Sequence, residues 1–285
     1  MSKVKVIIDS TVYMPEKYLK DLDIDVIPLH VIWGEEIFSD GVDITPEEFY
    51  RRLPSAKVMP TTSQPSPKEF TTIYEKYLAE GRDILSIHIS SKMSGTVDSA
   101  IQAKNLIKAD NIEVIDSEFT TLGTAFQAIA AAKAAKEGAP LKECTDIAKD
   151  VRAHTQIYFL VETLEFLKRG GRIGGAAALL GSALNLKPIL YVKEGAIESY
   201  EKVRTMKKAL ARMIEIMEKQ VGEKRPIYVG ISQATAPESA AWLKAEVQKR
   251  FKDADIIEFV EAELSPVIGT HAGPGTVALN FATLD

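Results

Sequence analysis

Residues 83–100, DILSIHISSKMSGTVDSA, decide the fold class because a strand pattern passes directly into a helix pattern. The apolar residues 83–90 predict a strand, and residues 95–108 predict a helix that begins just after Ser94. Ser94 stands at the junction and is predicted to be the N-cap of this helix. The helical spacing places four apolar residues near one face: Val97, Ala100, Ile101 and Ile107.

The same strand-to-helix alternation extends in both directions from this stretch. KVKVIIDS (residues 3–10) and NIEVIDS (residues 111–117) are predicted strands, and each precedes a predicted helix. This order predicts an α/β protein whose N-terminal half is a mainly parallel sheet with flanking helices. Beyond residue 155 the pattern changes, and the remaining strands and helices predict a second α/β domain with a mixed sheet. We expect an N-terminal domain at residues 1–160 and a C-terminal domain at residues 161–285.

Composition describes a water-soluble globular protein with a sizeable core. The 285 residues are 46% hydrophobic and 26% charged, and the formal net charge of −5 argues against a nucleic-acid-binding surface. Cys144 is the one cysteine, so no intrachain disulfide can form, which fits a reducing compartment. The first residues enter a strand pattern rather than a signal peptide, and no apolar stretch is long enough to cross a membrane. We therefore expect a cytoplasmic protein.

Hydroxyl groups and one histidine make up the candidate binding residues. Ser94 and Gly95 open a helix beyond the end of a strand, where unpaired N–H groups favour an anion; the plainer alternative is that Ser94 only caps its helix. MPTTSQPSP (residues 59–67), predicted to be a loop, adds Thr61, Thr62 and Ser63. In GTHAGPGTVAL (residues 269–279), His271 lies in a predicted glycine-rich loop, where it could donate to an anion or act as a base.

A basic turn adds a further candidate site, and the absence of several motifs narrows the cofactors and reactions that the sequence supports. LEFLKRGGRIGG (residues 164–175) flanks a Gly-Gly turn with Arg169 and Arg172, which could hold a phosphate, face a partner or simply be solvated. There is no GxxxxGK[ST] sequence, no GxGxxG after the first strand, and no CxxC or HExxH. The sequence therefore predicts no metal site, no cofactor and no catalytic residue with support from a motif.

Five segments in this order resemble the DegV family: IIDST (residues 7–11), TTSQPSP, ISSKMSGT (residues 89–96), LEFLKRGGRIGG and GTHAGPGTVAL. The resemblance spans essentially the whole chain. It implies a two-domain α/β protein that binds a long-chain fatty acid, of the palmitate or stearate class, in an apolar tunnel at the domain interface. It also implies a carrier rather than an enzyme, serving lipid transport or presenting the acid to an ATP-dependent fatty acid kinase.

By the same resemblance, the carboxylate is held by the hydroxyls of Thr62 and Ser94, the N–H of Gly95, and His271. Thr61 and Ser63 are secondary candidates because they adjoin Thr62. The resemblance places three arginines at the mouth or at a partner contact: Arg169, Arg172 and Arg204. A peripheral membrane contact stays open.

Two other functions fit the same residues. Ser94 and His271 could form the nucleophile and base of an acyl or phosphoryl transferase, provided that they lie within hydrogen-bond reach. A regulatory or scaffold protein with a structural lipid is the third alternative. An intact, exchangeable fatty acid released from the purified protein would favour the carrier.

Overall fold

Three sheets organise the chain, and the computed structural model describes residues 3–180 and 187–284. The strands are β1 Val4–Asp9, β2 Ile24–Ile27, β3 His30–Trp33, β4 Glu36–Ser39, β5 Thr61–Ser63, β6 Asp83–His88, β7 Ile112–Asp116, β8 Thr155–Leu160, β9 Lys187–Lys193, β10 Ala196–Val203, β11 Ile227–Gln233, β12 Ile256–Glu263 and β13 Val277–Thr283. The helices are α1 Glu16–Asp21, α2 Pro46–Arg52, α3 Pro67–Ala79, α4 Thr96–Ile107, α5 Thr121–Lys136, α6 Leu141–His154, α7 Glu165–Arg169, α8 Met206–Val221, α9 Pro237–Arg250 and α10 Pro266–Ala272. Short 3-10 turns lie at Leu53–Ser55, Gly174–Leu179 and Asp253–Asp255.

The first sheet is parallel, in the order β2-β1-β6-β7. All six residues of β1 are buried, as its continuous apolar sequence requires of a central strand covered on both faces. Local signals begin two helices: Thr45 caps α2, which packs on β3, and Ser66 forms a capping box with Glu69 at α3, which packs on the first sheet. The predicted parallel sheet with flanking helices is confirmed.

The second sheet is mixed, in the order β10-β9-β8-β13-β11-β12, with β11 and β12 parallel and the other pairs antiparallel. The predicted mixed sheet is confirmed. β8 belongs to this sheet, so the chain passes from one sheet to the other near residue 155. The division into domains at residue 160 stays a prediction.

Helix α5 lies between the two large sheets and joins their cores. Thirteen of its sixteen residues are buried, and most of them are alanines and other small or apolar residues. Its Leu122 and Phe126 lie against Gly230 of β11, and its Gly123 lies against Ile157 of β8. A helix that is apolar on every side must be buried on every side, and α5 meets this condition between the sheets.

A third sheet, β4-β3-β5, is antiparallel and corrects one prediction. Residues 59–67 are not wholly a loop, since Thr61–Ser63 form β5. This strand pairs with β3, where Val31 faces Thr62. Three residues between prolines carry no strand periodicity, and their pairing partner lies about thirty residues earlier in the chain.

Other local predictions are corrected as well. Helix α4 begins at Thr96 with Gly95 as its N-cap residue, so the predicted cap by Ser94 is wrong. Of the four apolar residues predicted near one face of α4, Val97 and Ala100 are buried, Ile107 is half-buried and Ile101 is 40% exposed. His271 lies in helix α10 rather than in a loop. None of the helices in residues 3–180 and 187–284 is both long and apolar enough to cross a bilayer.

Candidate functional site

An apolar cavity lies where the first and third sheets meet the second. The space between its wall atoms is about 840 Å³, counting the part that opens to solvent. Strands of the second sheet supply much of its apolar wall: Ile157, Phe159, Val192, Ile197 and Ala278. Ile157 and Phe159 are two residues apart on β8 and so point to the same side of the sheet. Because most of the wall is hydrocarbon side chain, the cavity suits an apolar ligand.

The polar side of the cavity is built around Thr62 and His271. β5 holds Thr62 and α10 holds His271, and Thr62 Oγ1 lies 2.7 Å from His271 Nε2. Burial, together with the positive charge of Arg172, lowers the pKa of His271 to about 4. The imidazole is therefore neutral at physiological pH, and one of its nitrogens carries a lone pair.

The surroundings of His271 Nδ1 indicate which ring nitrogen carries the lone pair and which carries the proton. Nδ1 is buried without a hydrogen-bond partner, and a Cβ atom built on Gly170 would overlap it. A lone pair facing the Gly170 α-carbon costs less than a buried N–H with nothing to donate to, because Cα–H can act as a weak donor. We therefore assign the proton to Nε2, which donates to Thr62 Oγ1. The hydroxyl hydrogen of Thr62 is then free to donate to a ligand.

The turn after β6 brings a second hydroxyl to the cavity. Ser94 lines the wall, and its Oγ lies 2.8 Å from Thr96 Oγ1 in the first turn of α4. Gly95 lies beside the Gln64 amide, which would be 2.9 Å from a Cβ at that position. As the N-cap of α4, Gly95 places its own N–H and the first helical N–H groups at the end of the helix where an anion is favoured.

Arg172 ties the basic turn to the turn after β6. Its Nε donates to Met93 O at 2.9 Å and its Nη1 donates to Gly170 O at 2.6 Å. The guanidinium thus fixes the backbone beside both Ser94 and His271 while lining the cavity itself. Its charge is the second cause, after burial, of the lowered pKa of His271.

The structure brings five of the predicted residues to one cavity: Thr62, Ser63, Ser94, Arg172 and His271. The other candidates lie outside its wall. Thr61 is exposed on β5, the α-carbon of Gly95 faces the Gln64 side chain, and Arg169 is exposed beside Glu165. Arg204 is exposed between β10 and α8.

Sequence reasoning missed several polar groups in the wall: Gln64, Thr120, Thr121 and Thr276. A signal for two of them was present, because Thr120 and Thr121 follow β7 much as Ser94 follows β6. The segment GGAAALLGSALNLKPILYV (residues 174–192) holds more small and large apolar residues than one strand needs, which predicts that it lines a tunnel. Residues 181–186 of this segment lie outside the described residues. The remainder of the segment supplies Val192 to the wall.

A family model described as an uncharacterised protein of the DegV family matches residues 3–284. A DegV domain-containing protein of Listeria innocua is 36% identical over 281 residues, which are 98% of each chain. The chain belongs to the DegV family. A solved DegV family protein from Thermus thermophilus, described as fatty-acid binding, superposes with a TM-score of 0.92 at 34% identity and full coverage of both chains. A stearic-acid-binding protein from Eubacterium ventriosum gives 0.89 at 27% identity, with 99% and 98% of the chains covered.

In this DegV chain, the IIDST segment holds the backbone of the turn that leads to Ser94. Asp9 accepts hydrogen bonds from Thr11 and from the N–H of Ile89, at the start of the turn that leads to Ser94. Its Oδ2 also lies 3.2 Å from His88 Nδ1, and His88 Nε2 lies 2.6 Å from Ser86 Oγ. The Asp9, Ser86 and His88 side chains are fully buried, so this network holds the turn and has no access to a ligand.

A second buried carboxyl lies beneath α10. Asp40 accepts a hydrogen bond from Ser10 Oγ at 2.8 Å, while its Oδ1 has no partner. Ser265 and the N–H of Val267 face the same carboxyl without reaching hydrogen-bond geometry. Burial raises the pKa of Asp40 to about 7. Within residues 3–180 and 187–284, no group of three or more metal-ligating side chains occurs.

Proposed function

We propose that the protein binds a long-chain fatty acid, of the palmitate or stearate class, as a carrier without catalytic residues. The supporting observation is one cavity with a wall of aliphatic side chains and a polar side of neutral hydroxyls, on a chain whose structural relatives are described as fatty-acid binding. A tail of about 15 methylenes at about 0.8 kcal/mol each offers at most about 12 kcal/mol. The tail therefore supplies the affinity, and the head-group contacts orient the acid.

In this proposal the carboxylate accepts hydrogen bonds from the hydroxyls of Thr62 and Ser94 and from the N–H of Gly95. His271 acts through Thr62, since its Nε2–H engages that oxygen and leaves the hydroxyl hydrogen for the ligand. Each charge-assisted hydrogen bond contributes about 1.5 to 3 kcal/mol, largely offset by desolvation of the carboxylate. Neutral donors leave one carboxylate oxygen accessible at the mouth.

We further propose that the bound acid is presented to an ATP-dependent fatty acid kinase in the cytoplasm. The exposed Arg169 and Arg204, which lie outside the cavity wall, are available for that partner or for a peripheral membrane contact. Against the transferase alternative, no hydrogen bond in the described parts of the chain joins Ser94 to His271. Their partners are Thr96 and Thr62.

Adjacent residues provide the matched test of the head-group contacts. Thr62→Val removes a cavity hydroxyl, while Thr61→Val makes the same change one residue earlier, outside the wall. We expect fluorescence or calorimetric titration with palmitate to show about tenfold weaker binding for T62V and unchanged binding for T61V. Ser94→Ala and Ser91→Ala form a second pair. Equal affinities within both pairs would refute the assigned roles.

Mass spectrometry tests the function itself. Protein purified from cells and then denatured should release an intact long-chain acid, with no mass added to the polypeptide. A covalent adduct on Ser94 would instead support the transferase, and binding of no long-chain acid at all would refute the proposal.

A further inference from the structure

One hydroxyl in the described cavity wall is both buried and unpaired. Thr120 Oγ1 is shut away from solvent and makes no hydrogen bond, although Thr120 lines the cavity. Three other wall hydroxyls have partners: Thr62 pairs with His271, Ser94 pairs with Thr96, and Thr276 donates to backbone carbonyls. A buried unpaired hydroxyl typically weakens the state that contains it by about tenfold. It is therefore a place where a ligand atom with a lone pair or a proton gains an advantage.

The local backbone turns this hydroxyl away from its usual partner. Thr120 occupies the N-cap position of α5 with φ −147° and ψ 175°, where threonine ordinarily accepts a hydrogen bond from the first turn of the helix. Here the side chain makes no cap bond. Its neighbour Thr121, buried and also in the wall, has a φ of 51°, a region that β-branched residues rarely adopt. The chain thus presents a polar group in a wall that is otherwise mostly hydrocarbon.

Backbone contacts place Thr120 next to the turn that carries Ser94, the proposed ligand of the carboxylate. The N–H of Ser90 donates to Phe119 O at 2.8 Å, and the N–H of Ser94 donates to Ser90 O at 3.0 Å. Phe119, the residue before Thr120, is therefore hydrogen-bonded directly to the turn that carries Ser94. A fatty acid whose carboxylate is held at Ser94 would pass Thr120 with its first several carbons.

We propose that the cavity selects fatty acids that carry a hydroxyl or oxo oxygen in the carboxyl-proximal part of the chain, with Thr120 Oγ1 as the group that recognises this oxygen. The inference rests on the proposed fatty-acid binding and names the ligand class within it. An unsubstituted chain leaves Thr120 facing methylenes. A substituted chain gives it a hydrogen-bond partner, and the oxygen of the ligand is itself satisfied inside the apolar wall.

The test compares palmitate with hydroxypalmitates substituted at C2, C3, C5 and C16, on the native protein, Thr120→Val and the control Thr61→Val. We expect at least one of the C2, C3 and C5 acids to bind the native protein several-fold more tightly than palmitate. The C16 acid should gain nothing. In T120V, valine keeps the shape and removes the hydroxyl, so palmitate should bind as well or better, and the preference should shift by about tenfold toward palmitate. T61V should retain the native preference.

Three outcomes would overturn the inference. The first is a native protein that prefers palmitate to all three proximal hydroxy acids, as expected if a water already satisfies Thr120. The second is an unchanged preference in T120V. The third is an equal loss of affinity for palmitate and the hydroxy acids in T120V, which would make Thr120 a head-group ligand. Failure of the native protein to bind palmitate or any of its derivatives would count against the proposed function instead.

Discussion

Two buried titratable groups, Asp40 beneath α10 and His271 within it, should change the free energy of unfolding with pH in opposite directions. The pKa of Asp40 is about 7 in the folded protein and about 3.9 in an unfolded chain. Between these values the folded state keeps a proton that the unfolded state has released, so the free energy of unfolding falls as pH rises. At about 1.4 kcal/mol per unit, the whole fall is about 4 kcal/mol.

His271 acts with the opposite sign. Its pKa is about 4 when folded and about 6.5 when unfolded, so between these values the unfolded state binds the extra proton. The free energy of unfolding then rises with pH, by about 3 kcal/mol in all. From pH 4 to 6.5 the two contributions nearly cancel, and above pH 6.5 only the loss from Asp40 remains.

Single substitutions should expose each contribution. Asp40→Asn leaves only the His271 contribution, so its free energy of unfolding should rise by about 3 kcal/mol from pH 4 to 6.5. His271→Gln leaves only the Asp40 contribution, so its free energy of unfolding should fall by about 4 kcal/mol from pH 4 to 7. Urea unfolding at a series of pH values, followed by circular dichroism, measures both. Curves that run parallel to that of the native protein would refute the reasoning.

Three further substitutions test the packing around the site. Gly170 has an ordinary φ of −74°, so Gly170→Ala should change the melting temperature little. Its new methyl group should displace the His271 ring and weaken palmitate binding about tenfold. An unchanged affinity would contradict the assigned contact. Gly230→Ala should cost about 1 to 3 kcal/mol in urea unfolding because its methyl group would press on α5, and a neutral effect would show that the helix can shift. His88→Leu leaves the buried Asp9 carboxyl without its imidazole and should cost about 3 to 5 kcal/mol, measured in the same way; a loss below about 1 kcal/mol would argue against the network.

The sheets were predictable because their signals are local. The apolar runs of β1, β6 and β7 are each contained within a few residues, and they predicted the parallel sheet correctly. Strand order depends on which strands meet in space, and periodicity does not encode that. Strand β8 is an example, since one of its two partners in the second sheet, β13, lies far along the chain.

Helix α10 shows why a local signal can mislead. Two glycines in and after its seven residues favour a loop, and His271 was accordingly predicted to lie in one. In the fold, Gly269 is required because a Cβ there would overlap the aromatic rings of Phe49 and Tyr50 on α2. Close packing against α2 thus outweighs the low helix propensity of glycine, and this contact joins residues more than two hundred positions apart.

The polar groups of the site were partly predictable for the same reason as the sheets. Hydroxyls that follow strands are visible in the sequence, and this signal found Ser94 in the turn after β6. Applied to β7, it would have found Thr120 as well. The tautomer of His271 could not be predicted, because it depends on Gly170, which only the folded chain places against Nδ1.

In the proposed complex, the affinity for the fatty acid and the orientation of its carboxylate depend on different parts of the protein. Much of the apolar wall belongs to the second sheet, whereas Thr62 belongs to the third sheet and Ser94 to the turn that leaves the first. A ligand that engages both must span the sheets, so its binding energy stabilises their association as well as its own position. Arg172 adds a fixed link between the two sides, since it bonds Met93 O on one and Gly170 O on the other. Because His271 stays neutral and Arg172 is occupied by backbone carbonyls, no cation is fully committed to the carboxylate, which is the condition for releasing or presenting it.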